Sequence, residues 1–114
     1  MVGKYYRNPI TKSDNMKLPR DLFLGFVKLH ILHHAGQEPV YGLWLIEELS
    51  GHGYRLSPGT LYPILHGLEE EKLLASETSV VEGKSRKYYR LTKAGRAALE
   101  EGKNKALELL EEIK

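Results

Sequence analysis

The chain of 114 residues contains no cysteine, which excludes disulfide bonds, a thiolate nucleophile and a zinc site built on cysteine. It has no apolar run long enough to span a bilayer, so we expect no membrane partner and a cytoplasmic location. A Gly-x-Ser-x-Gly nucleophile elbow and a phosphate-binding glycine loop are also missing. Glu47 and Glu48 are adjacent and face different directions on a helix, so they do not form a carboxylate pair for acid–base catalysis. These absences predict a protein that is not an enzyme and holds no cofactor.

The positive charge of the chain is concentrated in two patches, although the net charge is only +2. Residues 1–21 are basic, and residues 82–96 carry six Lys and Arg side chains against Glu82 alone. The remaining segments are weakly acidic. Such a distribution is typical of proteins that bind a polyanion. With 41% hydrophobic residues, the chain is otherwise expected to form one globular domain of ordinary size.

Helical periodicity predicts three helices after a flexible basic arm at residues 1–17. The first helix, at 18–35, is apolar nearly all round between residues 22 and 32, which implies one face on the core and another on a second subunit. The second helix occupies about 40–50. The third runs from about 57 to 72, with a Ser N-cap followed by Pro at the first helical position. Its inward stripe has helical spacing and consists of Leu61, Ile64, Leu65 and Leu68.

A β-hairpin and a last helix complete the predicted fold. Residues 74–81 and 86–91 are rich in Val, Thr, Tyr and Ser and flank a turn at 82–85. Thr92 caps a helix that continues to the C-terminus. The fold class is therefore mainly α with a β-hairpin (α+β): a winged helix-turn-helix domain at 18–91 and an added dimerisation helix at 92–114. A heptad seam along the last helix consists of Gly95, Leu99, Gly102, Ala106, Leu109 and Ile113.

The third helix and the hairpin are the predicted DNA-binding elements. Small and hydrogen-bonding residues in the first two turns of the helix allow its N-terminus to approach a phosphate closely. Glu69, Glu70 and Glu71 would be repelled by phosphates, so the other end of the helix should point away from the duplex. No Arg, Asn or Gln lies on the outward face of the helix. Discrimination between DNA sequences would therefore rest on Thr60, on Tyr62 and on DNA shape. The predicted DNA-binding residues are Ser57, Gly59, Thr60, Tyr62, Pro63 and His66 on the helix and Lys84, Arg86, Lys87 and Arg90 on the hairpin.

Alternation along the returning strand sorts its side chains into two faces. Arg86, Tyr88 and Arg90 share one face, which is predicted to point outward. Tyr89 shares the other face with Leu91, the residue expected to reach the core. One of the two tyrosines is therefore expected to pack the hairpin rather than to contact nucleic acid.

The stretches SPGTLYPILHGLEEEKLL and GKSRKYYRLTKAGRAAL together resemble the PadR family of bacterial and archaeal transcriptional regulators. That family joins a Gly-Thr-Leu-Tyr-Pro recognition helix to an Arg-Lys-Tyr-Tyr wing, and the Tyr41-Gly42 pair also fits its pattern. The resemblance covers residues 18–114 and implies a homodimeric repressor that binds double-stranded DNA. In ending after one C-terminal helix, the chain resembles the short subfamily, some of whose members bind flat aromatic drugs at the dimer interface. Two departures are Gly67, where the family often has Arg, and Lys72, where it often has Gly.

Three further groups of residues have more than one interpretation. Trp44 is predicted to be a core residue, with an aromatic wall for a small aromatic effector as the alternative. His30 and His34, with His33 beside them, have the spacing of metal ligands, but no cysteine or acidic third ligand is near in sequence, so no metal is predicted. The homodimer interface is predicted to include apolar residues of the first and last helices, namely Leu22, Phe23, Phe26, Leu99, Ala106, Leu109, Leu110 and Ile113.

The function predicted from these patterns is a transcriptional repressor that binds a pseudo-palindromic operator as a homodimer and is released by a small aromatic effector. Two alternatives belong to other classes of protein. One is a winged-helix module that binds a protein partner and has lost specific DNA binding, which Gly67 and the uncharged outer face of the third helix favour. The other is a small-molecule sensor whose main role is ligand binding.

Overall fold

The structure is a computed structural model that describes residues 17–114. The predicted arm at 1–17 therefore lies, except for its last residue, outside the described residues. No helix within the described part of the chain is long and apolar enough to cross a membrane. The elements follow the predicted order: α1 (Arg20–Gln37), α2 (Gly42–Gly51), α3 (Pro58–Glu70), β1 (Leu74–Val81), β2 (Lys84–Leu91) and α4 (Lys93–Ile113).

The core lies between the first three helices and the hairpin. The predicted inward stripe of α3 is confirmed, because all four of its residues are buried. One face of α1 contributes Val27 and Ile31, which are fully buried, whereas Leu22 and Phe26 on the same helix are 51% and 43% exposed. The described chain thus buries one of the two apolar faces predicted for the first helix and leaves the other exposed.

Tyr89 is the tyrosine that packs the hairpin onto the helices. Its side chain is fully buried in the core, which confirms that one of the two adjacent tyrosines has a packing role. Its backbone exchanges two hydrogen bonds with Val40, the N–H of each residue donating to the carbonyl of the other at 2.7 and 2.9 Å. This pairing ties the wing to the segment that precedes α2, and so fixes the hairpin relative to the helix-turn-helix unit.

The hairpin turn is tighter than predicted. The two strands pair from Leu74 opposite Leu91 to Val81 opposite Lys84, so the turn contains two residues and not four. Glu82 and Gly83 have φ values of 53° and 78°, as the two central residues of a type I′ turn require. The predicted length of the turn was wrong by two residues, because two polar residues were assigned to the loop that in the structure pair in the β-ladder. Lys84 consequently begins β2.

The end of α3 explains one departure from the family pattern. Lys72 follows the helix in the left-handed region, with φ of 65°, where glycine is the favoured residue. The N–H of Leu73 donates to the carbonyl of Leu68 at 2.9 Å, which closes the helix in the manner of a Schellman motif. The lysine therefore preserves the fold at a backbone cost of roughly 1 kcal/mol relative to glycine.

The first half of α4 packs against the rest of the chain, and the second half projects from it. Thr92 caps the helix as predicted: its Oγ1 accepts from the N–H of Gly95 at 2.9 Å and donates to the carbonyl of Lys72 at 2.6 Å. Gly102 lies against Leu29 of α1. Beyond that contact the apolar side chains of α4 are exposed, with Ile113 65% accessible.

Two glycines in helices are expected to respond to alanine in opposite directions. A Cβ at Gly95 would collide with the backbone carbonyl of Leu73 and with Leu91, whereas a Cβ at Gly67 would meet no heavy atom of the described chain within 4 Å. Gly95→Ala should lower the free energy of unfolding by about 1–3 kcal/mol through overpacking. Gly67→Ala should raise it by about 0.5–1 kcal/mol through helix propensity. Urea unfolding followed by circular dichroism measures both, and equal effects of the two substitutions would contradict the packing described for α4.

Candidate nucleic-acid interface

The exposed face of α3 is formed by small and polar residues. Gly59, Pro63 and His66 are exposed, and Thr60 is half-buried on one flank of the helix. Ser57 occupies the N-cap position, but within the described structure its side chain makes no capping hydrogen bond; its Oγ donates instead to Thr60 Oγ1 at 3.4 Å. Pro58 has no N–H, and the N–H groups of Thr60 and Leu61 donate to the carbonyl of Ser57 at 3.0 and 2.9 Å, so the N–H of Gly59 is the one in this turn that these bonds leave for an anion.

Tyr62 connects this face of α3 to the start of α2. The residue is half-buried, and its ring lies directly on the backbone of Gly42, where any Cβ would collide with it. Gly42 is the first residue of α2, and Tyr41 immediately precedes it. The Tyr41-Gly42 pair therefore has a packing role, because glycine allows the ring of Tyr62 to reach the first turn of α2.

Tyr41 also holds the wing. The guanidinium carbon of Arg86 lies 4.3 Å from the centroid of the Tyr41 ring, a cation–π contact. The ring of Tyr88 packs edge-on against Tyr41 at 5.4 Å between centroids. Side chains of α3, of the start of α2 and of β2 consequently form one continuous surface through Tyr62, Gly42, Tyr41 and Arg86.

The strand β2 presents its cations on both faces. The face of Arg86, Tyr88 and Arg90 is the predicted outward one, and Arg90 is exposed on it. Lys87 points to the other face, where its Nζ lies 3.8 Å from Glu69 Oε1 of α3 and 5.5 Å from the centroid of the Tyr89 ring. Burial raises the pKa of the Tyr89 hydroxyl above its usual range. The charge of Lys87 is thus partly compensated by Glu69, whereas no ion pair among residues 17–114 includes Lys84 at the tip.

The helix α1 adds two cations that the sequence did not single out as DNA ligands. A groove of about 320 Å³ runs between α1 and α3, and Arg20 and Lys28 line it together with Thr60 and Gly67. Both basic residues are exposed. They are eight residues apart, which is two turns plus one residue, so helical spacing places them on one side of α1. Their position beside α3 depends on the crossing angle of α1 and α3, which the local sequence does not reveal.

The predicted dimer residues fall into two groups. Phe23 and Leu99 are partly buried against the core of their own chain, so part of the predicted interface already packs within the subunit. The remaining six are exposed on α1 and on the second half of α4; they are Leu22, Phe26, Ala106, Leu109, Leu110 and Ile113.

Trp44 and a second cavity lie on the side of the molecule that faces α4. Trp44 is half-buried against the core, with its ring edge-on to His34 at 5.4 Å between centroids. A cavity of about 470 Å³ opens between α1, the end of α2 and α4. Phe26 and Leu99 contribute apolar walls, and several histidines contribute the polar one. The tryptophan thus lies next to a residue that lines this cavity, without lining it itself.

His30, in the polar wall of this cavity, is neutral at physiological pH. Burial, together with the nearby His52, His34 and His33, lowers the pKa of His30 to about 4. A neutral imidazole keeps one nitrogen lone pair available as an acceptor. The sequence contained the pair of histidines on α1 but gave no indication that a third would lie beside them.

A recognition helix joined to a basic two-stranded wing defines the winged helix-turn-helix class of transcription regulators. The model of the transcriptional regulator PadR-like family matches residues 31–101, and the chain belongs to this family. Membership in a family of transcriptional regulators also confirms that the protein is not an enzyme.

Relatives in sequence and in structure agree with this assignment. A transcriptional regulator of Mycobacterium tuberculosis is 59% identical over 87 residues, which cover 76% of this chain and 81% of the relative. The crystal structure of a PadR-like transcriptional regulator from Bacillus cereus has a TM-score of 0.75 and 33% identity, with 82% of this chain and 92% of that chain covered. A PadR family regulator from Eggerthella lenta has a TM-score of 0.71 and 35% identity, with 82% of both chains covered.

Proposed function

We propose that the protein is a cytoplasmic transcriptional repressor that binds a pseudo-palindromic operator as a homodimer. The observation that carries this proposal is the continuous surface from α3 through Tyr41 to Arg86. A helix that reads a groove and a cation that contacts the backbone must keep a fixed separation to fit one duplex. The packing of Tyr62 on Gly42 and of Arg86 on Tyr41 supports such a fixed separation.

On DNA, the N-terminal half of α3 would enter the major groove. Its small residues permit close approach, and the N–H of Gly59 at the positive end of the helix dipole favours a phosphate. Lys84, Arg86 and Arg90 would contact the backbone or the adjacent minor groove from the wing. Arg20 and Lys28 would contact phosphates on the opposite side of α3, which compensates for the absence of cations on the helix itself. The acidic end of α3 would point away from the duplex.

Two copies of the chain would place their α3 helices in successive major grooves, about 34 Å apart. The exposed apolar strip on the second half of α4 supports this arrangement, because a surface of that kind in a small domain is typical of an interface. Leu109, Leu110 and Ile113 are between 54% and 65% exposed. Phe26 on the exposed face of α1 lines the same cavity as Leu99 of α4, so this face of α1 would extend the interface.

A small aromatic effector would release the repressor from DNA. The cavity of about 470 Å³ beside α4 has apolar walls and a size suited to such a ligand. An effector that prefers a dimer geometry with misplaced α3 helices must weaken DNA binding, and DNA must weaken effector binding by the same factor. Trp44, the single tryptophan of the chain, is the natural fluorescent reporter because it contacts a wall residue of the cavity.

The proposal predicts salt-sensitive and sequence-specific binding to the DNA immediately upstream of the protein's own gene. Fluorescence anisotropy at several salt concentrations, beside a scrambled duplex of the same composition, measures both properties. We expect a steep decrease of affinity with salt, about 0.9 in slope for each phosphate contacted, and a clear preference for the upstream DNA. Equal binding to both duplexes would contradict the repressor assignment, and little binding even at low salt would favour the protein-interaction alternative.

A further inference from the structure

Two helices bring four potential metal ligands to one place. His30 and His34 are separated by four residues on α1 and therefore lie on the same side of that helix. Glu48 on α2 and His52, the residue that caps the C-terminal end of α2, have the same separation. The packing of α2 on α1 places the two pairs against each other in the wall of the larger cavity.

The distances within this cluster are close to those of a tetrahedral metal site. Each of His30, His34 and His52 offers a ring nitrogen, and these three atoms lie within 4.8 Å of one another. Glu48 Oε2 lies 3.2 Å from His52 Nε2 and 3.6 Å from His34 Nε2. Ligand atoms around tetrahedral Zn²⁺ lie about 3.3 Å apart, given metal–nitrogen bonds of about 2.0–2.1 Å. The carboxylate oxygen already has nearly this spacing to two of the imidazoles, whereas the three imidazole nitrogens, which are up to 4.8 Å apart, would have to move closer together around an ion.

The electrostatics of the cluster suit a divalent cation. The side chains of His34 and His52 are only 10% and 14% exposed, and that of Glu48 is 24% exposed. Lys103 also lines the cavity, but its side chain is 60% exposed and its Nζ lies 3.6 Å from Glu100 Oε2. An ion in the cluster would therefore face a carboxylate at close range and a largely solvated lysine.

We propose that this cluster binds a divalent transition metal of the zinc type, with His30, His34 and His52 as nitrogen ligands and Glu48 as the fourth ligand. Imidazole nitrogen together with one carboxylate oxygen is a donor set that suits Zn²⁺ and its neighbours, and that Mg²⁺ and Ca²⁺ do not prefer. No metal was predicted from the sequence, because no cysteine or acidic third ligand is near the two histidines in sequence. The structure supplies the two further ligands from Glu48 of α2 and from His52, which caps that helix. The inference does not depend on the proposed DNA binding.

The test uses the tag-free full chain, so that an affinity tag contributes no histidine. Co²⁺ replaces Zn²⁺ in such sites and reports the geometry through its visible absorption. We expect one equivalent of Co²⁺ to give the intense absorption of a tetrahedral complex, and one equivalent of Zn²⁺ to abolish it. A weak absorption like that of hydrated Co²⁺, with no competition by Zn²⁺, would overturn the proposal.

Substitutions then assign the ligands. His30→Gln and His52→Gln should each weaken Zn²⁺ binding at least about tenfold in competition with a chromophoric chelator, and Glu48→Gln should weaken it as well. His33→Gln is the matched control, because His33 is an exposed neighbour in the wall of the same cavity but lies outside the cluster. Its affinity should equal that of the parent. Unchanged binding in both His30→Gln and His52→Gln, or an equal loss in His33→Gln, would overturn the assignment.

The effect of metal on thermal unfolding provides a readout that separates binding from damage to the fold. A metal that binds only the folded chain must raise the melting temperature, and we expect Zn²⁺ to raise that of the parent and of His33→Gln. The same addition should leave the melting temperature of His52→Gln unchanged. A variant that folds, as judged by circular dichroism, and still responds to Zn²⁺ like the parent would contradict the role of His52.

Discussion

Replacing Lys84 and Arg86 together with alanine is expected to lower the affinity for operator DNA roughly a hundredfold, because two charge-assisted contacts of roughly 1.5 kcal/mol each are lost. Lys84 begins β2 beside the tight turn, and Arg86 lies against Tyr41 at the centre of the proposed interface. The slope of log affinity against log salt should become shallower by about 1.8, since each phosphate contact contributes about 0.9. Anisotropy titrations at several salt concentrations measure both quantities.

Two control variants separate the local effect of the wing from a general loss of charge. Lys105→Ala/Lys114→Ala removes the same number of charges from the exposed surface of α4 and from the residue that follows it, and should leave the affinity nearly unchanged. Lys87→Ala should have a smaller effect than either residue of the wing pair, because its Nζ already lies 3.8 Å from Glu69. An equal loss of affinity in the α4 control would show that net charge, and not the position of the wing, governs binding.

Introducing glutamate at Leu110 and Ile113 is expected to convert the dimer to a monomer. These two side chains are 55% and 65% exposed in the single chain. Burying a side chain of this size contributes about 1.5–3 kcal/mol, and each substitution occurs in both subunits. The dissociation constant of the dimer should therefore rise roughly a thousandfold or more, since every 1.4 kcal/mol is tenfold. Sedimentation velocity over a range of concentrations measures the change in molecular mass.

A matched double variant tests whether α4 is the interface. Leu43→Glu/Val80→Glu changes two apolar residues that are 62% and 70% exposed at other sites, and it should sediment as the parent does. The monomeric variant should also bind operator DNA more weakly, because a single α3 contacts only one half-site. A parent chain that is monomeric at all concentrations, or a variant that remains dimeric, would contradict the proposed role of α4.

The elements that sequence predicted well depend on local physics. The inward stripe of α3 is set by helical periodicity, and Thr92 caps α4 through its own hydroxyl. Lys72 shows the limit of the same reasoning. The departure from glycine was visible in the sequence, but the left-handed backbone that makes glycine preferable there was visible only in the structure.

Some features of the candidate site could not be predicted because they depend on how distant segments pack. The prediction of the hairpin was wrong at the turn. It assigned polar residues to the loop that in the structure pair in the β-ladder, because the Glu-Gly pair adopts positive φ and forms the turn with two residues. The contact of Tyr62 with Gly42 and the position of Lys28 beside α3 require the angles between helices. Helical spacing fixes which residues share a side of one helix, but not which side of another helix they meet.

By itself, the sequence determined the order of elements, the core stripe of α3, the positive charge of the wing and the motif pair of the family. Each of these is fixed by periodicity, by capping chemistry or by residue type within one segment. Only the tertiary structure decided which face of the wing lies against Tyr41, that Lys87 meets Glu69, and that the imidazoles of His30 and His34 lie beside that of His52, with Glu48 close to His34 and His52. The physical reason is that these contacts join residues of separate segments, and their distances are set by the shared core that positions α1, α2 and the hairpin.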